Sequence, residues 1–544
     1  MCEILRENFN ERFLEIKDVI ERSSFVAIDT EFTGLSTNDS SCPSLFDDAK
    51  TRYKKLKKSI SQFVICQFGL CAFVEIPDQP NRYQAYAFNF YLFQPSFGPV
   101  DCRFLCQASS LHFLSKHNFD FNKFIHHGVP YLNQDQEEEI RKQHKEQSLS
   151  SSTQSLELRG LDDQISSSIS KTESWLEHAH EGDKITLDSE NYTGQYLLFA
   201  ELKNQLNPEL VKCEVTNNLK IVVTRQKRSS KKKIKEQQIK EEEKILLSVI
   251  GFSRIIKLLI KLKKPLVGHN LLTDLLLLYD KFIKPLPEKY TDFKANLHQA
   301  FPLVYDTKHL AFKIRKHQKL NSNCTFLDNT NLEDLHAELS SDEAKFFVLF
   351  NPGIDLADIS QKYGEEERPH EAGYDAYLSG FVFLRMTHLF AAKLQKSQLS
   401  KPFPFSKFIK VLQPYENQVN IPRATISFVN LSCNDPPSVR PQWFFVESNV
   451  TQPLSGHKVA KQFVRFGSVD VKMVDQHHAV VAVAHHRRVD NVLKLVKKNK
   501  STTVRLYNSL YDSCLMRNLI WSGGVFTTLS LCIGAGLLIW RVLK

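Results

Sequence analysis

Apolar residues recur every three or four positions over 8–22 and then give way to an unbroken apolar run, Phe25 to Ile28. The first pattern predicts a helix and the second a buried strand over 24–29. The stretch FVICQFGLCAFVEI, 63–76, predicts two strands broken at Gly69, and 83–93 alternates as another strand would. Around NQDQEEEIRKQHKEQSLSSSTQS the chain turns polar and serine-rich, which predicts a linker. A small module follows, with helical periodicity near 164–179 and 193–206 and a hairpin in CEVTNNLKIVVTR.

The α/β pattern resumes at 248 with a helix through SVIGFSRIIKLLIKL, a strand in KPLVGHN and an apolar helix over 271–279. PLVYDTKHLAF reads as a strand and a turn, and Thr330 and Glu333 have capping-box spacing ahead of another helix. Between 420 and 510 the elements run βαββαβ, an order that fits an RNA-recognition-motif-like sheet. The expected fold class is therefore α/β. A mixed sheet with flanking helices is built from 1–132 and 245–398, and a small α+β module at 133–244 interrupts it. An RRM-like α+β module at 420–510 follows, and the last element is an apolar helix at 519–540.

That last element carries no charge for 22 residues, Leu519 to Trp540, with tryptophan at position 521 and at the end and Arg517, Arg541 and Lys544 outside it. At about 1.5 Å per residue it spans a hydrocarbon core of about 30 Å, which predicts a tail anchor; a buried core helix is the other reading. A chain of 544 residues exceeds one ordinary core. Its net charge of +10 suits a polyanionic partner. Seven basic residues between Arg225 and Lys235, followed by acids to Glu243, read either as a solvated charged helix or as a nucleic-acid contact. Eleven cysteines without a CxxC pair fit reduced thiols facing the cytosol and no common zinc site. No GxxxxGK[ST] is present, which excludes a P-loop enzyme.

The chemistry lies in three fragments. In AIDTEFTGL, Asp29 and Glu31 are two apart, so on a strand they share a face. Two carboxylates there suit a hard cation such as Mg²⁺, although an acidic strand end looks the same in isolation. In VGHNLLTD, Asn270 is placed to cap a helix and Asp274 falls in its first turn. In HEAGYDAYLSG, His370 precedes a helix that carries Asp375. Four acids and a histidine make a two-metal phosphodiester site, with one ion activating water and the other stabilising the leaving 3′ oxygen, and with His370 as general base.

These three fragments, in this order, resemble the poly(A)-specific ribonuclease family of DEDD exonucleases, histidine subtype. The resemblance implies a ribonuclease H-like fold and 3′→5′ exoribonuclease activity that releases 5′ nucleotides. It makes Asp29, Glu31, Asp274 and Asp375 the ligands of two Mg²⁺ ions and His370 the base. Asp306, in VYDTKHL, competes for the third acid; the GHN context favours Asp274 and leaves Asp306 to cap the turn after its strand. Phe32, Leu35 and Asn270 match positions lining the family's RNA 3′-end pocket; core packing for the first two and helix capping for Asn270 are the other readings. The inserted module lacks an Arg-x-x-x-His signature, and AVVAVA in the RRM-like module lacks stacking aromatics. Packing or a homodimer contact is therefore favoured over RNA binding for the latter. The apolar tail matches a membrane-anchored branch of the family. That branch implies trimming of piRNA precursors held by a PIWI-clade protein, with a membrane adaptor, at the mitochondrial outer membrane or else the endoplasmic reticulum. A membrane-bound deadenylase and an inactive nuclease-fold scaffold are the competing functions.

Overall fold

The structure is a computed structural model that describes residues 2–37, 42–146, 158–216, 218–227, 231–321, 327, 329–341, 349–395, 402–438, 443–449, 453–484, 493, 501–508 and 512. The predicted tail anchor at 519–540 lies outside them, and no helix among the described residues is long and apolar enough to cross a membrane. The chain divides into two compact units. One comprises Met1–Cys42, Tyr53–Asn420 and Phe428–Asn434, and the other comprises Pro43–Arg52, Ile421–Ser427 and Asp435–Lys544.

The larger unit is built on a mixed sheet of β1 (Glu3–Ile4), β2 (Phe25–Phe32), β3 (Ile65–Glu75), β4 (Arg82–Tyr91), β5 (Leu266–Gly268), β6 (Val304–Asp306) and β7 (Gly353–Leu356). The order is β1-β4-β3-β2-β5-β6, with β7 also on β4. Strands β2, β3 and β4 are antiparallel, whereas β5 lies parallel to β2 and β6 parallel to β5. The two expected halves of the sheet thus meet at β2 and β5, where Val26 and Ala27 pair with Leu266 and Val267.

Helix α4 (Ala372–Gln395) lies on this sheet, and two earlier helices flank the same end: α1 (Ala108–Lys116) and α2 (Leu272–Leu278). Phe25, Phe73 and Phe383 share one buried aromatic cluster, with Phe25 and Phe73 stacked at 4.7 Å and Phe383 5.1 Å from Phe25. Helix α3 (Thr307–Asn321) follows β6 directly.

Several expectations give way. Strand β2 runs to Phe32, three residues past the expected end at 29, so Glu31 stands within the strand as Asp29 does, and a register shift separates Glu31 from Phe32. The segment 63–76 holds one continuous strand, not two. Gly69 sits mid-strand because a Cβ there would collide with the carbonyl of Ala372 at the start of α4. The helix through 248–262 is split: one helix ends at Ile250, Gly251 takes φ 44°, and a second runs Ser253–Leu262. Part of the expected linker is a helix, Gln134–Lys145, which the Asn133 side chain opens by accepting from Gln136 N. The turn after β6 is the first turn of α3. The helix after Thr330 is capped at Asn331 and begins at Leu332, so Thr330 closes no capping box.

The inserted module forms a three-stranded antiparallel sheet of Lys184–Asp188, Lys220–Arg225 and Val211–Val215, covered by Leu158–His178 and Tyr192–Gln205. Its core takes in Phe97, Val100 and Leu132 from outside the module. In the smaller unit, four antiparallel strands are ordered Val469–Met473, His478–Val483, Phe444–Ser448 and Thr502–Leu506. Helix Gly456–Phe463 packs on the face that carries Phe444 and Val446. The second helix expected there, at 489–499, lies outside the described residues except Leu493. On the other face Phe445 is buried, with the Arg505 guanidinium 4.4 Å above its ring.

Candidate active site

Strand β2 brings Asp29 and Glu31 to the end of the sheet nearest α2 and α4. Asp29 pairs across the ladder with Gly69 and Glu31 with Gln67. Because Gly69 has no side chain, the N-terminus of α4 comes down onto β3 there. Two amide side chains fix it: Gln67 Oε1 accepts from Ala372 N at 2.9 Å, and Asn89 Oδ1 accepts from Gly373 N at 3.1 Å. Just before the helix, Glu371 accepts from Tyr363 Oη at 2.6 Å and is paired with Lys362. Asp375 therefore emerges from the first turn of α4 in a fixed place and is almost wholly buried.

His370 precedes the helix with φ 64°, a left-handed conformation in which its amide N–H donates to Asp375 Oδ2 at 3.2 Å. Ligand atoms of Glu31, His370 and Asp375 lie within 4.8 Å of one another. Asp274 comes from the first turn of α2, buried, and its Oδ1 accepts from Thr30 Oγ1 at 2.6 Å. The residue between the two acids of β2 thus orients the third.

The electrostatics show an unbalanced site. Burial, then the charges of Asp375, Asp274 and Glu31, push the Asp29 carboxyl well above its ordinary range. Glu31 is raised by burial, Asp375 and Asp274. Burial carries Asp274 to about 7 despite the Thr30 hydroxyl, and Asp375 to about 7 despite the His370 amide. Among the described residues, no lysine or arginine is among the largest influences on these four acids. A divalent cation is the counter-charge such a set lacks, and four carboxylates on three elements are oxygen ligands of the right kind for it.

Asp306 differs. Its carboxylate accepts from the backbone N–H groups of Asn270, Leu271, Lys308, His309 and Asn420, at 2.9–3.2 Å. It ties the start of α3 to the approach to α2, and its charge adds to the rise at Asp274. Asn270 does not cap α2; the residue before that helix is Leu271, with no side-chain cap. Asn270 instead takes φ 62°, and its Oδ1 accepts from Asn420 Nδ2 at 2.7 Å. Phe32 is half-buried, while Leu35 is 52% exposed and so is not a core residue. The Leu35 amide donates to Gln107 Oε1 at 3.0 Å, and Thr33 Oγ1 donates to the Leu105 carbonyl at 2.9 Å. This bonding places the exposed side chains of Leu35 and Leu105 on adjoining segments.

Sequence reasoning missed two neighbours of His370. The Phe113 and His117 rings, from α1 and its C-terminal cap, stand 4.7 Å and 4.2 Å from it, both edge-on. Their four-residue spacing is the signal that could have paired them with one another, but nothing in the sequence pairs them with position 370. Burial, then the charge of His117, hold the His370 imidazole below its ordinary pKa.

The CAF1 family ribonuclease profile matches residues 4–383, well over half of the chain. The chain belongs to the CAF1 ribonuclease family. Its mixed α/β larger unit is thus of the ribonuclease H-like class. Among its CAF1 relatives, a pre-piRNA 3′-exonuclease trimmer of Bombyx mori is 34% identical over 527 residues, covering 96% of this chain and 97% of its own. The poly(A)-specific ribonuclease PNLDC1 of Mus musculus is 33% identical, covering 94% of this chain and 95% of its own. The poly(A)-specific ribonuclease PARN of Xenopus laevis is 31% identical, covering 93% and 80%. Within the CAF1 family the chain therefore lies in the PARN-like branch that includes the trimmer.

Proposed function

We propose that this protein is a Mg²⁺-dependent 3′→5′ exoribonuclease that shortens the 3′ ends of piRNA precursors held by a PIWI-clade protein. The observation that carries the reading is the convergence of Asp29, Glu31, Asp274 and Asp375, with His370 beside them, in a chain similar along nearly its whole length to a pre-piRNA trimmer. Asp29, Glu31, Asp274 and Asp375 would hold the metal, which when bound supplies a charge for the scissile phosphate and acidifies an attacking water. Thr30 orients Asp274, and the His370 amide orients Asp375. The His370 imidazole, kept below its ordinary pKa, is neutral at pH 7 and accepts the proton of the attacking water. Phe32, Leu35 and Asn270 are assigned to the pocket for the RNA 3′ end.

The test is incubation with a 3′-extended RNA on a PIWI partner. Shortening with Mg²⁺ that Glu31→Ala abolishes is the expected result; equal shortening by that variant sinks the reading. A poly(A)-specific ribonuclease, as the PNLDC1 and PARN relatives are called, would instead show a strong preference for A-tailed over mixed 3′ ends.

The segment 519–540 is assigned as a tail anchor in the mitochondrial outer membrane, with the larger unit facing the cytosol. Alkaline extraction of membranes tests it: the full chain should stay in the pellet, and a chain ending at 518 should be released. The smaller unit is assigned as RRM-like on its strand order. Burial of Phe445 on the sheet's second face favours a packing role over base stacking.

A further inference from the structure

Helix α3 starts where the acidic site ends. Asp306 Oδ1 accepts from the amides of Asn270, Lys308 and His309, and its Oδ2 accepts from that of Leu271, so the first turn of α3 is fixed beside the approach to α2. The helix then runs outward, and Lys308 to Lys316 covers about 12 Å of its axis at 1.5 Å per residue.

Its two faces contrast. Leu310, Ala311 and Ile314 are buried. The opposite arc carries Lys308, Phe312, Lys313, Arg315 and Lys316, with Phe312 39% exposed and Lys316 exposed. One exposed ring, Phe312, stands among the cations there. The Arg315 guanidinium stands 5.5 Å from the Phe312 ring, and Lys313 Nζ stands 4.8 Å from the ring of Phe428, which opens a short strand (Phe428–Asn430) of the same unit. Lys308, Lys313 and Lys316 make no ion pair with a carboxylate among the described residues. Burial lowers the Lys313 ammonium, and the neighbouring Lys316 charge lowers it further. Two neighbouring lysines, Lys313 and Lys316, beside the exposed ring of Phe312 and the half-buried ring of Phe428, fit a single-stranded polyanion with stacking bases better than they fit a flat lipid surface.

We propose that the outer face of α3, together with Phe428, is an RNA track that holds the body of the substrate upstream of the 3′ end being processed. This rests on the exoribonuclease reading above and adds a dependence on RNA length to it.

The experiment uses the full chain and three variants: Lys313→Gln/Lys316→Gln, Lys313→Glu/Lys316→Glu, and Phe312→Ala. Fluorescence anisotropy with an unstructured RNA of about thirty nucleotides, with metal chelated, reports binding apart from catalysis. The charge reversal should weaken binding by about tenfold or more, and the glutamine pair should flatten the log–log salt dependence by about 1.4, at about 0.7 per cation. In trimming assays, the ratio of kcat/KM for that RNA to kcat/KM for one of about five nucleotides should fall in the same variants. Melting temperatures within a degree or two of the parent, as expected for solvated positions, separate this loss from misfolding. Unchanged affinity and salt slope in the glutamine pair overturn the track. So does weaker flotation of these variants with phosphatidylserine vesicles, in a chain ending at 518, while RNA affinity is kept, which would make the face a membrane contact. If the parent chain trims neither RNA, the exoribonuclease reading fails, while the anisotropy series still decides the track.

Discussion

Asp306 and the four acids of the candidate site lie at the same sheet, and they are built in opposite ways. Asp306 receives five backbone N–H groups and is 1% exposed. Asp274 is met by the Thr30 hydroxyl and by backbone groups of Thr30 and its own residue, Asp375 by the His370 amide, and the charges of Glu31, Asp274 and Asp375 still raise Asp29. Burying a carboxylate is costly unless its charge is answered. The protein answers Asp306 from its own backbone and leaves the other four to something it binds. An acid satisfied from within holds the fold together, and an acid left unsatisfied marks chemistry.

The largest effect should separate the two groups outright. Asp375→Asn should lower kcat by about 10³-fold or more. It should leave the metal-free melting temperature unchanged or higher, because it removes a repelling charge. Asp306→Ala should do the reverse. It strands buried amides, costs about 3 kcal/mol or more of stability, and lowers activity only as far as it lowers the folded fraction. Activity assays alongside thermal melts, with and without Mg²⁺, check both; a melting-temperature loss in Asp375→Asn larger than that in Asp306→Ala would reverse the assignment.

The next effect is on pH. Asp274 and Asp375 have folded pKa values near 7, against about 4 in an unfolded chain. The folded state therefore binds more protons between these values. Their contribution is present below about pH 4 and is lost as pH rises through 7. Buried His269, at about 3 when folded and about 6.5 when unfolded, acts the other way: its contribution is present above pH 6.5 and lost as pH falls. Metal-free melts across this range should therefore decline on both sides. Added Mg²⁺ should rescue the neutral limb alone, and rescue of the acidic limb would contradict the acid cluster as the cation's place.

Much of this contrast was legible in the sequence. The apolar run ending in Asp29 and Glu31, the GHN fragment before Asp274 and the position of Asp375 after His370 are local patterns, and local patterns survive in one dimension. What was not legible depends on partners distant in the chain. Gly69 read as a break because glycine is a common strand punctuator; its reason is the carbonyl of Ala372, some three hundred residues away. The five amides of Asp306 come from three separate segments, and Asn270 read as a cap until Asn420 claimed its carbonyl oxygen. Helix Gln134–Lys145 was hidden by its polar, serine-rich surroundings, although Ile140 supplies a buried residue.

A smaller effect concerns the support under the acids. Gly69→Ala should push the start of α4 off β3, at a cost of about 1–3 kcal/mol. Gln67→Ala and Asn89→Ala should each remove a tether while leaving the strand intact. All three should weaken Mg²⁺ binding by about 10–100-fold, the range for residues that orient metal ligands. Titration of Mg²⁺ against melting temperature measures this directly. Unchanged Mg²⁺ affinity in Gln67→Ala would show that the helix start is held by its own packing.

The smallest effect tests the wall beside His370. His117 stands edge-on at 4.2 Å, and its charge adds to burial in lowering the His370 pKa. Replacing His117 with glutamine removes the charge and keeps a polar side chain of similar reach. The His370 imidazole should then hold its proton to a higher pH. Less of it is free to accept a proton at any pH on the acid side, so the acid limb of kcat/KM should move upward by a fraction of a pH unit, about 1 kcal/mol or less. The plateau above the limb should change much less, since at high pH the base is neutral in both proteins. Phe113→Leu removes the other ring but no charge, so it should lower the plateau with the limb left where it was. If the two variants move the same feature, the wall acts on His370 through packing alone, and the charge of His117 has no part in it.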